Sequence, residues 1–74
     1  MAEIRVRSEI AGRVWRIEAA AGSQVEEGQT IILIESMKME VPVSAPSGGR
    51  VAKVFVGEGD EIAEGQEIAL VVIG

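Results

Sequence analysis

Gly22-Ser23-Gln24-Val25-Glu26-Glu27-Gly28-Gln29-Thr30-Ile31-Ile32-Leu33-Ile34 is answered 37 residues later by Gly59-Asp60-Glu61-Ile62-Ala63-Glu64-Gly65-Gln66-Glu67-Ile68-Ala69-Leu70-Val71, an offset of half the 74-residue chain. Working outward, Gly12-Arg13-Val14 falls on Gly49-Arg50-Val51, Ile17 on Val54, and Glu3 and Val6 on Glu40 and Val43. A twofold repeat in so short a chain implies two similar halves related by a pseudo-twofold axis, neither able to bury its apolar face alone. Each half holds a β-branched segment (Val14 to Ile17, Val51 to Val56), a Gly-polar turn, a second turn at Glu-Gly-Gln, and a closing apolar run. That spacing of short runs and turn signals is the mark of a small all-β sandwich or barrel. Helix is disfavoured, since Gly or Pro interrupts nearly every window of three turns; Ile62 to Leu70 is the one candidate, and Gly65 sits inside it. The sequence predicts eight short strands, near residues 3–9, 12–18, 24–26, 30–36, 40–46, 49–56, 61–63 and 67–73, in a single domain over 1–74.

Composition narrows the chemistry. Hydrophobic residues make up 47%, but the aromatics are only Trp15 and Phe55, so the core must be built from Val, Ile, Leu and Ala. Trp15 aligns with Ala52 and reads as a packing residue. Cys, His and Tyr are absent, which removes disulfides, thiolate metal sites, the commonest general base and the commonest zinc nitrogen ligand. An autonomous enzyme is not expected from such an inventory. A net charge of −5 argues against a nucleic-acid partner, which would call for clustered Lys and Arg. The longest apolar run, Ile68 to Ile73, is too short to span a bilayer, so no membrane partner is expected and a cytoplasmic location is.

Between the strand ending near Glu35 and the one starting at Glu40 lies Ser36-Met37-Lys38-Met39, short enough only for a tight hairpin. Adding 37 to 38 gives 75, one past the last residue, so this turn corresponds to the place where the two chain ends would meet. If the pseudo-symmetry holds, turn and paired ends lie at opposite ends of the molecule. Two readings of the residues stand side by side. Met37 and Met39 are exposed and mark a recognition site around Lys38; or they fold back onto the core and Lys38 is an ordinary turn cation. Lys53 lies in an extended segment aligned with Arg16, and Arg5, Arg7, Arg13, Arg16 and Arg50 read as solvated strand faces.

The run Glu35-Ser36-Met37-Lys38-Met39-Glu40 resembles the biotin-attachment motif of biotinyl domains, the biotin carboxyl carrier modules of the biotin/lipoyl attachment family. Residues 22–29 resemble the family's turn before the motif and 59–66 its counterpart after it, while Pro42, Ala45, Pro46 and Gly48 fit the segment following the modified lysine. The resemblance implies a flattened eight-strand barrel-sandwich hybrid of two quasi-symmetric halves, with the target lysine on a protruding β-hairpin turn. No long insertion separates Gly22 from Val25, so it points to the form lacking the protruding thumb of some carriers. It further implies biotin joined to Lys38 as an amide by a biotin protein ligase, Met37 and Met39 as flanking recognition residues, and Glu35, Ser36 and Glu40 as hairpin context. The modified arm would then take carboxylate from a biotin carboxylase to a carboxyltransferase. ATP and metal belong to those partners, and the domain, expected to be a monomer in isolation, makes and breaks no bond.

A lysine is overwhelmingly an ammonium at neutral pH although the neutral amine is the nucleophile, so the ligase has to help remove the proton. Amide formation removes one cation and moves the net charge from −5 to −6. The nearest rival is a lipoyl domain, which typically has an acidic residue before its lysine and a small one after; Met37 and Met39 favour biotin, with dual biotin/lipoyl attachment as the alternative. A purely structural module is a rival of another class, and a Ser36–Lys38 nucleophile–base pair a third, short of an orienting third group. Two other motifs fail. Gly57-Glu58-Gly59-Asp60-Glu61-Ile62 has Ile62 where a dinucleotide fingerprint needs its third glycine, and the spacing of Glu58, Asp60, Glu61 and Glu64 matches no calcium loop.

Overall fold

The structure, a computed structural model, describes residues 2–73. Eight strands form: β1 (Ala2–Arg7), β2 (Gly12–Ile17), β3 (Gln24–Val25), β4 (Thr30–Ser36), β5 (Met39–Ser44), β6 (Gly49–Val54), β7 (Glu61–Ile62) and β8 (Glu67–Ile73). No helix occurs among the described residues, and each expected strand is present within about two residues of its expected bounds. The overruns have local causes. β1 stops before Ser8 because that buried hydroxyl donates to the Ile10 carbonyl at 2.6 Å and accepts from the Ile10 N–H at 3.3 Å, turning the chain. β7 stops at Ile62 because the Ala63 N–H donates to the Gln66 side-chain oxygen at 2.9 Å.

The strands assemble into two four-stranded antiparallel sheets, ordered β1-β8-β6-β3 and β5-β4-β2-β7. Shifting β1 to β4 by 37 residues reproduces the bounds of β5 to β8 end for end and maps one sheet order onto the other. Loop bonds follow the same rule. Gly22 N–H donates to Val51 O at 2.7 Å and Gly59 N–H to Val14 O at 2.8 Å; Ser8 N–H donates to Gln66 O at 2.9 Å and Ala45 N–H to Gln29 O at 2.8 Å. The repeated Glu-Gly-Gln acquires a reason here. Gly28 and Gly65 adopt φ of 86° and 84°, a region that L side chains resist, and each following Gln closes the turn by accepting from the N–H of Glu26 or Ala63. Ladders do not join the two sheets into a closed barrel, so the hybrid architecture lies nearer its sandwich limit.

Between the sheets lies a core of Val, Ile and Ala. Val14, Ile31, Ile32, Ile34, Val51, Ile68 and Val71 are fully buried, whereas Leu33 and Leu70 are only half-buried. Both aromatics stay outside it. Trp15, expected to be a packing residue, is 43% exposed because the β2–β4 register slips between Val14 and Arg16, leaving Trp15 as the extra residue of a β-bulge. Its ring stacks under the Arg16 guanidinium, 4.9 Å from the ring centroid. Gly12 and Gly49 occupy equivalent points where strands touch: a Cβ would strike the Glu35 carbonyl oxygen at the first and the Val72 carbonyl oxygen at the second.

Candidate functional site

Six of the seven strand connections pass from one sheet to the other; only the link from β4 to β5 stays within a sheet. That link is Met37-Lys38, so the expected lysine hairpin is the one direct hairpin in the fold. Its register pairs Glu35 with Glu40 and Ser36 with Met39, leaving a two-residue loop. The pseudo-symmetric counterpart of the Ser36–Met39 pair is the pairing of Ile73 with Ala2, where the two ends of the described chain meet.

Two-residue hairpins twist correctly when both loop residues take positive φ, a geometry normally given to Asn-Gly or Gly-Gly. Met37 has φ 51° and Lys38 φ 66°, and every other positive φ among the described residues belongs to glycine. Holding two side chains in this region costs on the order of 1 kcal/mol each. Met-Lys contains none of the usual markers of such a turn, which is why the sequence points to the hairpin but not to its backbone type.

Exposure settles where the two methionine side chains lie. Met37 is 92% and Met39 67% exposed, so neither folds back onto the core. Lys38 is exposed at the apex, and its amine makes no hydrogen bond or ion pair among the described residues. Ser36 is half-buried at the end of β4 and makes no side-chain hydrogen bond, so no Ser–Lys pair is assembled. Glu35 and Glu40 flank the turn as opposed, exposed carboxylates.

Sequence reasoning missed the neighbours on the next strands. Across β7-β2-β4-β5 the register aligns Glu61, Arg13, Glu35 and Glu40 in one row, and a shallow depression lined by Ala11, Gly12, Arg13, Glu61 and Ile62 opens beside Met37 and Lys38. Only the pairing of β2 with β7 brings Glu61 near the turn, and Arg13 looked generic because Arg50 repeats it. The three ion pairs of the described residues lie elsewhere, joining Arg5 and Arg7 to Glu67 and Arg16 to Glu18. Glu58 and Asp60 serve loop structure: Glu58 accepts from the Ile17 N–H at 3.1 Å and Asp60 from the Gly57 N–H at 2.8 Å. No metal-holding cluster occurs among the described residues. The turn thus presents an exposed amine between two exposed methionines.

Residues 3–71 match the profile of the biotin/lipoyl family described as biotin-requiring enzymes. The chain belongs to this family. Among curated relatives, a biotin/lipoyl attachment protein of Bacillus subtilis is 45% identical over 40 residues, covering 54% of this chain and 55% of that one. A biotinylated protein of Mycolicibacterium smegmatis, the TB7.3 homolog, is 50% identical over 40 residues, or 54% of this chain and 56% of its own. The chain thus spans about half the length of these curated relatives in the matched region. Among solved structures, the Kluyveromyces lactis urea carboxylase matches 97% of this chain with a TM-score of 0.92 and 38% identity, through only 6% of its own length. The family assignment accounts for the fold and makes biotin its characteristic group.

Proposed function

We propose that Lys38 is biotinylated by a biotin protein ligase and that the chain is a carboxyl carrier, taking carboxylate between biotin carboxylase and carboxyltransferase sites. The observation that carries this reading is the placement of Lys38: an exposed amine, free of ion pairs among the described residues, at the apex of the one hairpin that stays within a sheet, between two exposed methionines. The donor chemistry fits the group, since an amide to biotin requires a free primary amine with room around it, and the turn holds this amine clear of every carboxylate contact among the described residues. Once attached, biotin supplies a ureido nitrogen that can hold carboxylate. This chain's residues do the rest: β4 and β5 hold the arm's base, Met37 and Met39 offer apolar contact to the ligase, and Glu35 and Glu40 with Ser36 set the hairpin's shape. We infer a cytoplasmic monomer without catalysis of its own, occurring free or within a larger carboxylase assembly.

The attachment step balances simply. The Lys38 amine attacks the acyl carbon of the biotinyl adenylate, the amide bond forms, and AMP and a proton leave. With the biotinylated chain, a biotin carboxylase, ATP and labelled bicarbonate, acid-labile label should accumulate on the chain. Label no higher than with the Lys38→Ala chain contradicts the carrier role.

A second reading, lipoyl or dual attachment, is favoured by the name of the Bacillus subtilis relative, a biotin/lipoyl attachment protein. Expression with both biotin and lipoate ligases followed by intact mass separates the two: biotin alone supports the first reading, lipoyl mass the second.

A further inference from the structure

We propose that Met37 and Met39 are reversible oxidation sites, and that their conversion to sulfoxides closes Lys38 to biotin attachment. The inference rests on the reading of Lys38 as the attachment residue and on how this chain uses methionine. Its core contains none: every buried apolar residue among those described is Val, Ile or Ala. Met1 lies outside the described residues, and the other two methionines sit on either side of the lysine, 92% and 67% exposed. At 92% exposure, nothing among the described residues shields the Met37 thioether.

Exposed thioethers react with peroxides, and the chain has no Cys to react first. A sulfur lone pair attacks a peroxide oxygen, the O–O bond breaks, an S–O bond forms and water leaves; sulfur is oxidised by two electrons and the peroxide reduced by two. A dithiol-dependent methionine sulfoxide reductase reverses the step, releasing water and a disulfide. Oxidation replaces a flexible apolar surface by a strong, chiral dipole. A ligase that desolvates these two side chains while reaching the amine between them then has to bury an acceptor without a donor, a penalty that slows recognition by tenfold or more. The gate acts before attachment only, because the amide on Lys38 does not depend on either sulfur.

The test uses the full apo chain, hydrogen peroxide as oxidant and a biotin protein ligase, with biotin incorporation followed by mass. Peroxide-treated chain should take up biotin at least about tenfold more slowly than untreated chain, and treatment with the two epimer-specific methionine sulfoxide reductases together should restore the rate. The Met37→Leu/Met39→Leu variant retains Met1 and, whatever its own starting rate, should show the same rate before and after peroxide. Equal rates for oxidised and unoxidised chain, or an equal peroxide effect in the Leu variant, overturn the gate while leaving the attachment reading intact. Failure of the untreated chain to take biotin overturns both.

Discussion

The availability of the Lys38 amine is a matter of backbone geometry. Two non-glycine residues hold positive φ at the apex of the hairpin, and no ion pair among the described residues engages the Lys38 amine. The same geometry makes Met37 a sensitive position. A β-branched residue is a real outlier at φ 51°, so Met37→Val should lose about 1–2 kcal/mol in urea unfolding, whereas Met37→Gly should stay within about 0.5 kcal/mol, relief of strain offsetting the added freedom of the unfolded chain. Equal losses for Val and Gly would show that the turn is not held in this conformation in solution. The site was legible at this scale to an uneven degree. Glu35 to Glu40 stood out as one contiguous run, but Arg13 and Glu61 reach the turn only through strand pairing, which no local pattern reveals.

Among the elements, the hairpin stands apart because all other connections cross between sheets. At its base, Gly12 marks a close approach between the paired strands β2 and β4. Gly12→Ala drives a methyl group into the Glu35 carbonyl at the base of the lysine hairpin and should cost about 2–3 kcal/mol, with biotin uptake falling as the fold is lost. Gly48→Ala, whose Cβ would meet Val25 O at an ordinary 3.7 Å, is the control and should stay within about 1 kcal/mol when both are compared by urea midpoint. Strand positions were readable because β-branched runs alternate with Gly-polar turns at repeated spacing. Strand ends were less so, since β1 and β7 are cut short by side-chain bonds of Ser8 and Gln66 that local propensity does not encode. The bulge at Trp15 was hidden for a similar reason: an extra residue in one strand is defined only against its partner.

For the whole molecule, each sheet takes two strands from either half of the sequence: β1 and β3 join β8 and β6, and β4 and β2 join β5 and β7. The halves share one core, as the repeat implied, and their strands interleave so that neither owns a complete sheet. Peptides of residues 1–37 and 38–74 should each give a coil-like circular dichroism spectrum; a folded spectrum from either alone would contradict the shared core. Equivalent core positions should also behave alike. Ile31 and Ile68 are both fully buried, and Ile→Val at either should cost about 0.5–1.5 kcal/mol. A chain of this size has roughly 3–5 kcal/mol in reserve, which leaves these variants folded and measurable. What the repeat could not disclose was that the sheets remain open, because closure depends on edge pairing and not on strand count.

The most direct measurement of the central claim is the intact mass of the chain, of Lys38→Ala and of Lys53→Ala, each expressed with a biotin protein ligase. One amide-linked biotin on the unsubstituted chain and on Lys53→Ala, with none on Lys38→Ala, is the predicted result. Biotin retained by Lys38→Ala, or absent from the unsubstituted chain, would contradict it.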